Sequence, residues 1–130
     1  MILVDSCGWL EYLADGPLAG KYAPYFEKPA EVLTPSIVIY EVTKKIWREQ
    51  GREKALFVAA QMQQTKLAPL DERLAAAAAG VSLRWGLPMA DAIVYATALQ
   101  YGSLVVTGDR HFEGLPGVIF ISEKAEQSQP

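Results

Sequence analysis

The segment Leu104-Val105-Val106-Thr107-Gly108-Asp109 decides the fold, because it is a short apolar strand followed by a glycine and a carboxylate. Adjacent β-branched residues with no polar alternation are typical of a strand buried on both faces. The chain begins in the same way, with Ile2-Leu3-Val4-Asp5. Helical patterns separate the strand candidates, and strands separated by helices form parallel sheets covered on both faces. The sequence therefore predicts an α/β fold.

The predicted sheet has four to five parallel strands, with helices on both of its faces, in a three-layer sandwich. Ser6 and Asp71 are predicted helix N-caps, and Gly51 is a predicted helix stop. Strands are predicted over residues 2–5, 32–34, 103–107 and 118–121, with a weaker candidate over 66–70. Helices are predicted from residue 6 onward and over 18–27, 35–50, 53–64, 72–84 and 90–101.

Length and composition indicate one globular domain. The chain has 130 residues, of which 51% are hydrophobic and 21% are charged, as in a compact domain with a sizeable core. We expect the domain to span residues 1–121 and a polar tail to follow over 122–130. No apolar run reaches the length of a membrane span and no leader is visible, so we expect a cytoplasmic protein without membrane contact. The single cysteine, Cys7, is expected to be a small buried hydrophobe.

Four carboxylates lie at the edges of apolar segments, where a folding chain least favours them: Asp5, Glu41, Asp91 and Asp109. A carboxylate beside a core is disfavoured as an anion unless a cation or hydrogen-bond donors compensate. Asp5 and Asp109 follow strands, whose carboxyl ends share one edge of a parallel sheet. Glu41 borders the apolar helical stripe of Val38 and Val42, whereas Asp91 taken alone is more typical of a helix cap than of a ligand. Together the four acids predict a metal site.

The net charge of −3 and the isoelectric point near 5.1 differ from the basic balance that is usual for a nucleic-acid binder. A basic stretch nevertheless follows Glu41, with Lys44, Lys45 and Arg48 followed by further cations. This stretch fits two interpretations equally: a solvated helix face with internal ion pairs, or a track for phosphates. Arg110 has two similar interpretations, a bidentate grip on phosphate or an ion pair at the rim of the site.

Four motifs, taken in order, resemble the PIN-domain ribonucleases, and most closely the small VapC-type toxins. They are Val4-Asp5-Ser6, Tyr40-Glu41-Val42, the helix that starts Ala90-Asp91-Ala92-Ile93, and Thr107-Gly108-Asp109-Arg110-His111-Phe112. The resemblance covers residues 1 to about 121. It implies endonucleolytic cleavage of RNA with magnesium or manganese in an acidic pocket, self-association as a homodimer, and a small antitoxin partner. The acids of the family fall on Asp5, Glu41, Asp91 and Asp109, and its hydroxyl positions fall on Ser6 and Thr107.

The residue types favour the same chemistry. Carboxylate oxygens, without paired histidines or cysteines, select Mg²⁺ or Mn²⁺ over zinc or copper. The expected reaction is hydrolysis of a phosphodiester by metal-activated water. Asp5, Asp91 and Asp109 are expected to bind the metal, and Glu41 is expected to ligate or orient the nucleophilic water. Ser6 and Thr107 are expected to fix the orientation of the carboxylates.

Two rival functions remain open at the level of sequence. One is a magnesium-binding phosphoacceptor receiver domain, also α/β and of similar length, although the chain lacks that fold's paired acids after the first strand. The other is a catalytically silent relative that binds RNA or protein. His111 is expected to be incidental as a loop residue, Phe112 to pack on the core, and Trp47 and Trp85 to be core residues.

Overall fold

Five strands form one sheet at the centre of the molecule in the computed structural model, which describes residues 1–123. They are β1 Ile2–Val4, β2 Val32–Pro35, β3 Lys66–Ala68, β4 Leu104–Thr107 and β5 Val118–Phe120. The order across the sheet is β3-β2-β1-β4-β5, and all neighbouring strands are parallel. The α/β prediction is confirmed, and the weak strand candidate near residue 66 is real.

Six α-helices accompany the strands within the described residues: α1 Ser6–Leu13, α2 Ala19–Tyr22, α3 Ser36–Gln50, α4 Arg52–Met62, α5 Glu72–Trp85 and α6 Met89–Tyr101. The prediction of one helix over 18–27 is wrong in part, because α2 ends at Tyr22 and a 3-10 helix continues it over Ala23–Phe26. Pro24 has no backbone N–H, so it cannot extend the hydrogen-bond ladder of α2. Further 3-10 helices cover Pro29–Glu31 and Arg110–Phe112.

The sheet reverses direction between β1 and β4. From β1 the chain moves outward to β2 and β3, then returns across the sheet through α5 and α6 to reach β4 and β5. Since such crossovers are right-handed, the reversal places helices on both faces. Open parallel sheets bind ligands at the carboxyl edge where the order reverses. Asp5 follows β1 directly and Asp109 lies two residues beyond β4, so both carboxylates lie at this edge.

The two central strands and α3 fix the position of that edge in the core. Leu3, Val4, Val105 and Val106 are completely buried. The predicted stripe of α3 is also buried, and Glu41 lies at its margin, half-buried. Each aliphatic side chain removed from water contributes about 1.5–3 kcal/mol, so the strand ends that carry the acids are firmly anchored.

Helix ends confirm most of the predicted caps. The Asp71 carboxylate accepts a hydrogen bond from the N–H of Leu74 at the start of α5, and Gly51 ends α3 with φ 93°. The prediction that Ser6 caps α1 is wrong. Asp5 takes that position with an extended backbone, and its carboxylate accepts from the Ser6 N–H at 2.7 Å. Ser6 is therefore the first residue of the helix, and its hydroxyl is not needed as a cap.

The C-terminal end of the predicted domain lies close to the last strand. The predicted domain boundary at residue 121 falls just after β5, while residues 124–130 of the predicted tail lie outside the described residues. Across residues 1–123, no helix combines the length and apolarity that crossing a membrane requires.

Candidate active site

Asp5 is the most deeply buried of the four acids, with 4% of its surface exposed. One carboxylate oxygen accepts from the Ser6 N–H, and the other accepts from the Thr107 hydroxyl at 2.9 Å. Burial raises the pKa of Asp5, and the charge of Asp109 raises it further, while these two hydrogen bonds act in the opposite direction. The carboxylate is thus fixed in orientation but carries an electrostatic penalty as an anion.

Thr107 connects the two central strands at the edge of the sheet. Its hydroxyl accepts a hydrogen bond from the Asp109 N–H at 3.0 Å, which leaves its own proton to donate to Asp5. The Cys7 sulfur lies 3.4 Å from the same hydroxyl and accepts from the Gly108 N–H. Cys7 is only partly buried and makes polar contacts, so the expectation of a plain buried hydrophobe is wrong. Burial raises the pKa of its thiol, which keeps it neutral.

Glu41 reaches the same edge from α3. Burial raises its pKa, the negative charge of Asp5 and then that of Asp109 raise it further, and a hydrogen bond with the Ser6 side chain lowers it. The Ser6 hydroxyl therefore serves Glu41 rather than the helix start. This arrangement brings together Ser6 and Glu41, which lie 35 positions apart in the sequence.

Asp91 and Asp109 meet around His111. The Nδ1 atom of His111 lies 2.8 Å from the Asp91 carboxylate and 3.1 Å from the Asp109 carboxylate. Burial, followed by the charges of Asp109 and Asp5, raises the pKa of Asp91 to about 7. The alternative interpretation of Asp91 as a cap is not supported, since Pro88 precedes α6 and no side chain caps it. The expectation that His111 is incidental is also wrong.

All four predicted acids therefore belong to one cluster. The pKa values of Asp5, Glu41 and Asp91 are each raised in part by the negative charge of other members. No ion pair between a lysine or arginine and any of the four acids is seen within residues 1–123; the ion pairs of these cations there include Lys45 with Glu49 and Arg110 with Glu113. Clustered carboxylates without a lysine or arginine partner are suited to a divalent ion with oxygen ligands.

The predicted RNA-contacting residues lie outside this cluster. Lys44, Lys45 and Arg48 are exposed on α3 and follow Glu41 at spacings of three, four and seven residues, which is one stripe of a helix. Lys45 pairs with Glu49 at 3.2 Å, so the interpretation as a helical ion pair holds for that residue. Arg110 is exposed and lies 3.7 Å from Glu113, which matches the interpretation as an ion pair at the rim.

Two aromatic predictions have different outcomes. Phe112 is fully buried, as predicted, and anchors the turn that carries Asp109 and His111. Trp47 is 45% exposed, so its prediction as a core residue is wrong. It lines an apolar groove of about 530 Å³ between α3 and α4, together with Ile39, Tyr40, Lys44 and Arg48. The sequence signal for this groove is the spacing of Tyr40 and Trp47 at i and i+7 on the outer side of α3.

Solved structures of similar fold cover almost the whole chain. A toxin-antitoxin complex from Klebsiella pneumoniae is 20% identical, with a TM-score of 0.76, and the match covers 92% of this chain and 96% of that chain. FitAcB from Neisseria gonorrhoeae is 21% identical, with a TM-score of 0.72, over 93% and 97% of the two chains. VapC20 from Mycobacterium tuberculosis, a toxin that cleaves the sarcin-ricin loop, is 16% identical, with a TM-score of 0.68, over 100% and 97%.

These structural similarities concern the fold. No curated protein sequence matches the chain significantly. The family model of the PIN domain matches residues 2–118, a range that contains the first four strands, the start of β5 and all four clustered acids. Since that match spans far more than half of the sequence and agrees with the sheet order and the site, the chain belongs to the PIN domain family.

Proposed function

We propose that this protein is a divalent-metal-dependent endoribonuclease and the toxin of a type II toxin-antitoxin pair. The observation that carries the proposal is the convergence of Asp5, Glu41, Asp91 and Asp109 at the edge where the sheet order reverses. Anions in such proximity repel one another, and a divalent cation among them would offset that repulsion. A bound divalent ion would neutralise part of the negative charge of this cluster and would attract the phosphate of a substrate.

The donor set fits magnesium or manganese. Asp5, Asp91 and Asp109 supply hard oxygen ligands from three separate elements, and Thr107 holds Asp5 in a fixed orientation. When bound, the ion supplies positive charge for the scissile phosphate and acidifies water at neutral pH. The half-buried Glu41, positioned by Ser6, orients the attacking water from the side of α3.

The reaction is hydrolysis of an RNA phosphodiester. Oxygen from water forms a bond to phosphorus while the bond from phosphorus to the leaving ribose oxygen breaks, and the leaving oxygen takes up a proton. The residues of this chain orient the carboxylates and hold the phosphate. Thr107 keeps Asp5 and the backbone of Asp109 in register, so the geometry exists before the substrate arrives.

The track for RNA phosphates follows α3 away from Glu41. Arg48 lies seven residues beyond Glu41, which is about 10 Å along a helix, and Lys44 lies between them. Arg48 makes no ion pair with residues 1–123, and Arg110 lies on the turn beside Asp109. These cations account for RNA binding by a protein whose net charge is negative, because the affinity for phosphate is local.

The assignment as a toxin rests on solved structures of similar fold that contain an antitoxin. The structures from Klebsiella pneumoniae and from Salmonella typhimurium are toxin-antitoxin complexes, the latter bound to DNA. The apolar groove at Trp47, flanked by Lys44 and Arg48, is a surface to which an antitoxin segment can dock. We further propose a homodimer, since large apolar side chains are exposed on α5 and at the start of α6, among them Leu83 and Met89.

The receiver-domain alternative disagrees with the fold. Receiver domains have the strand order 2-1-3-4-5, whereas the order here is 3-2-1-4-5, with the switch point between β1 and β4. A silent relative that only binds RNA would keep the basic track without using the acids. The complete set of acids, each positioned by the fold at one edge, favours catalysis over that alternative.

The test is cleavage of a pool of single-stranded and structured RNA by the purified protein, with Mg²⁺ or Mn²⁺ or with chelator. The matched variants are Asp5→Asn and Asp109→Asn against Asp15→Asn, which removes the same charge from an exposed turn where φ is 51° and asparagine is well tolerated. We expect metal-dependent cleavage in the wild type and Asp15→Asn only. Folded, inhibitor-free protein that cuts nothing with either ion would refute the nuclease and favour the silent relative.

A further inference from the structure

His111 is the only histidine in the chain, and its ring lies where the two half-buried acids of the cluster converge. The Nδ1 atom and one oxygen each of Asp91 and Asp109 all lie within 4.8 Å of one another. The side chain of His111 is 59% exposed, and its Nδ1 atom nevertheless points at both carboxylates.

The backbone prearranges this meeting. Asp109 caps the 3-10 helix Arg110–Phe112, and its carboxylate accepts from the His111 N–H at 2.9 Å. The buried Phe112 fixes the other end of the turn to the core. Asp109 and His111 therefore move as one unit, and α6 presents Asp91 to both.

The two spacings from Nδ1 match those of a coordination sphere. Adjacent ligands of an octahedral ion with bonds of about 2.1 Å lie about 3.0 Å apart. The distances from Nδ1 to the Asp91 and Asp109 carboxylates are 2.8 and 3.1 Å, and all three donor atoms lie within 4.8 Å of one another. The ring therefore already lies where a ligand is needed, so little rearrangement is required of it.

We propose that His111 is a metal ligand, and that its imidazole nitrogen makes the site prefer Mn²⁺ over Mg²⁺. This inference rests on the proposed function, and it adds to the three ligating acids a fourth donor of a different chemical type. Imidazole binds transition ions better than it binds Mg²⁺, whose preferred ligands are oxygens. As a ligand, the ring keeps its proton on Nε2 and binds the ion through Nδ1.

The direct test uses Mn²⁺ as the probe, without RNA. Because the chain has one histidine, protein grown with ¹⁵N-histidine carries the label at a single ring. Pulsed EPR of the bound Mn²⁺ is expected to show a ¹⁵N hyperfine coupling of the size of a directly bonded imidazole. A coupling that is only dipolar, with Mn²⁺ bound, would overturn the proposal.

The second test measures dissociation constants for Mn²⁺ and Mg²⁺ by calorimetry in wild type, His111→Ala and Arg110→Ala. Loss of the imidazole is expected to weaken Mn²⁺ binding on the order of tenfold and Mg²⁺ binding by less than about threefold. Arg110→Ala is the matched control from the same exposed turn, and it changes both affinities together because only charge is lost.

The other possible outcomes of the calorimetric test also decide whether His111 is a ligand. Equal losses for both ions, no loss, or tighter binding in His111→Ala would refute ligation, the last because the ring then competes with the ion. Asp109→Asn separates this inference from the proposed function. If Asp109→Asn abolishes Mn²⁺ binding while His111→Ala does not alter the preference between ions, the nuclease proposal stands and only the role of His111 is lost.

Discussion

Replacing Thr107 with valine tests the connection between the two central strands. The residue is completely buried, and its hydroxyl both donates to the Asp5 carboxylate and accepts from the Asp109 N–H. Valine has nearly the same shape, so the substitution removes these two hydrogen bonds without opening a cavity. Any effect on stability then reports on the polar contacts at the edge of the sheet.

The expected magnitude follows from those two contacts. A hydrogen bond to a carboxylate contributes about 1.5–3 kcal/mol, and a buried N–H left without an acceptor costs about 1–3 kcal/mol. Asp109 is partly exposed, so water partly replaces the Thr107 hydroxyl as the acceptor for its N–H. The cost of losing that hydrogen bond therefore lies at the lower end of its range. We expect Thr107→Val to lower the free energy of unfolding by about 2–4 kcal/mol, which corresponds to about 4 °C in Tm for each kcal/mol.

Thr97→Val is the matched control. Thr97 is equally buried, but its hydroxyl donates at 2.7 Å to the Ile93 carbonyl one turn earlier in α6. That carbonyl also accepts a backbone N–H of the helix, so valine leaves no buried group unpaired and costs within about 1 kcal/mol. Urea unfolding in chelator measures both variants. If Thr107→Val costs no more than Thr97→Val, the hydroxyl does not hold the strand ends and our reasoning fails.

Three further results are expected. Burial and neighbouring acids raise the pKa of Asp91 from 3.8 to about 7, so its contribution to stability is full below pH 4 and is lost as the pH rises through 7. In chelator, Tm should therefore fall between about pH 4 and pH 7, and Asp91→Asn should flatten that fall. Saturating Mn²⁺ should raise the wild-type Tm at pH 8. At one hundred times the dissociation constant the added stability is about 2.7 kcal/mol, and a calorimetric scan without a rise in Tm would exclude a metal site. Gly8→Ala should destabilise by about 1–3 kcal/mol, since the new methyl would lie 2.6 Å from the buried Tyr22 ring, whereas Gly80→Ala has open space in α5 and should stabilise by about 0.5–1 kcal/mol in urea unfolding.

The sheet and the four acids could be predicted because their signals are local. A run such as Leu104-Val105-Val106 indicates a buried strand on its own, and the carboxyl ends of parallel strands share an edge whatever the remaining detail. The sequence therefore predicts Asp5 and Asp109 at one edge whatever the strand order. The register that brings Val4 opposite Val106 then follows from the pairing of β1 with β4.

The polar contacts of the site could not be predicted in the same way, because they depend on which side chains tertiary packing brings together. Asp5 and Ser6 are both good caps by type, and Asp5 takes the position because Thr107 and the helix N–H compensate its burial. His111 lies two residues from Asp109 in the sequence. Its role emerges only when α6 places Asp91 against the same ring.

The acidic cluster opposes folding and is therefore informative about function. Burial and mutual repulsion raise the pKa values of Asp5, Glu41 and Asp91, so each ionised carboxylate lowers the stability of the metal-free fold at neutral pH. An apolar or amide side chain at any of these positions would serve the core better. The fold compensates only in part, with donors from Thr107 and Ser6 and no lysine or arginine among residues 1–123. Such a cluster at the switch point of the sheet lowers the stability of the metal-free protein. That loss is expected at a functional site where a divalent ion balances the negative charge of the carboxylates and of a bound phosphate.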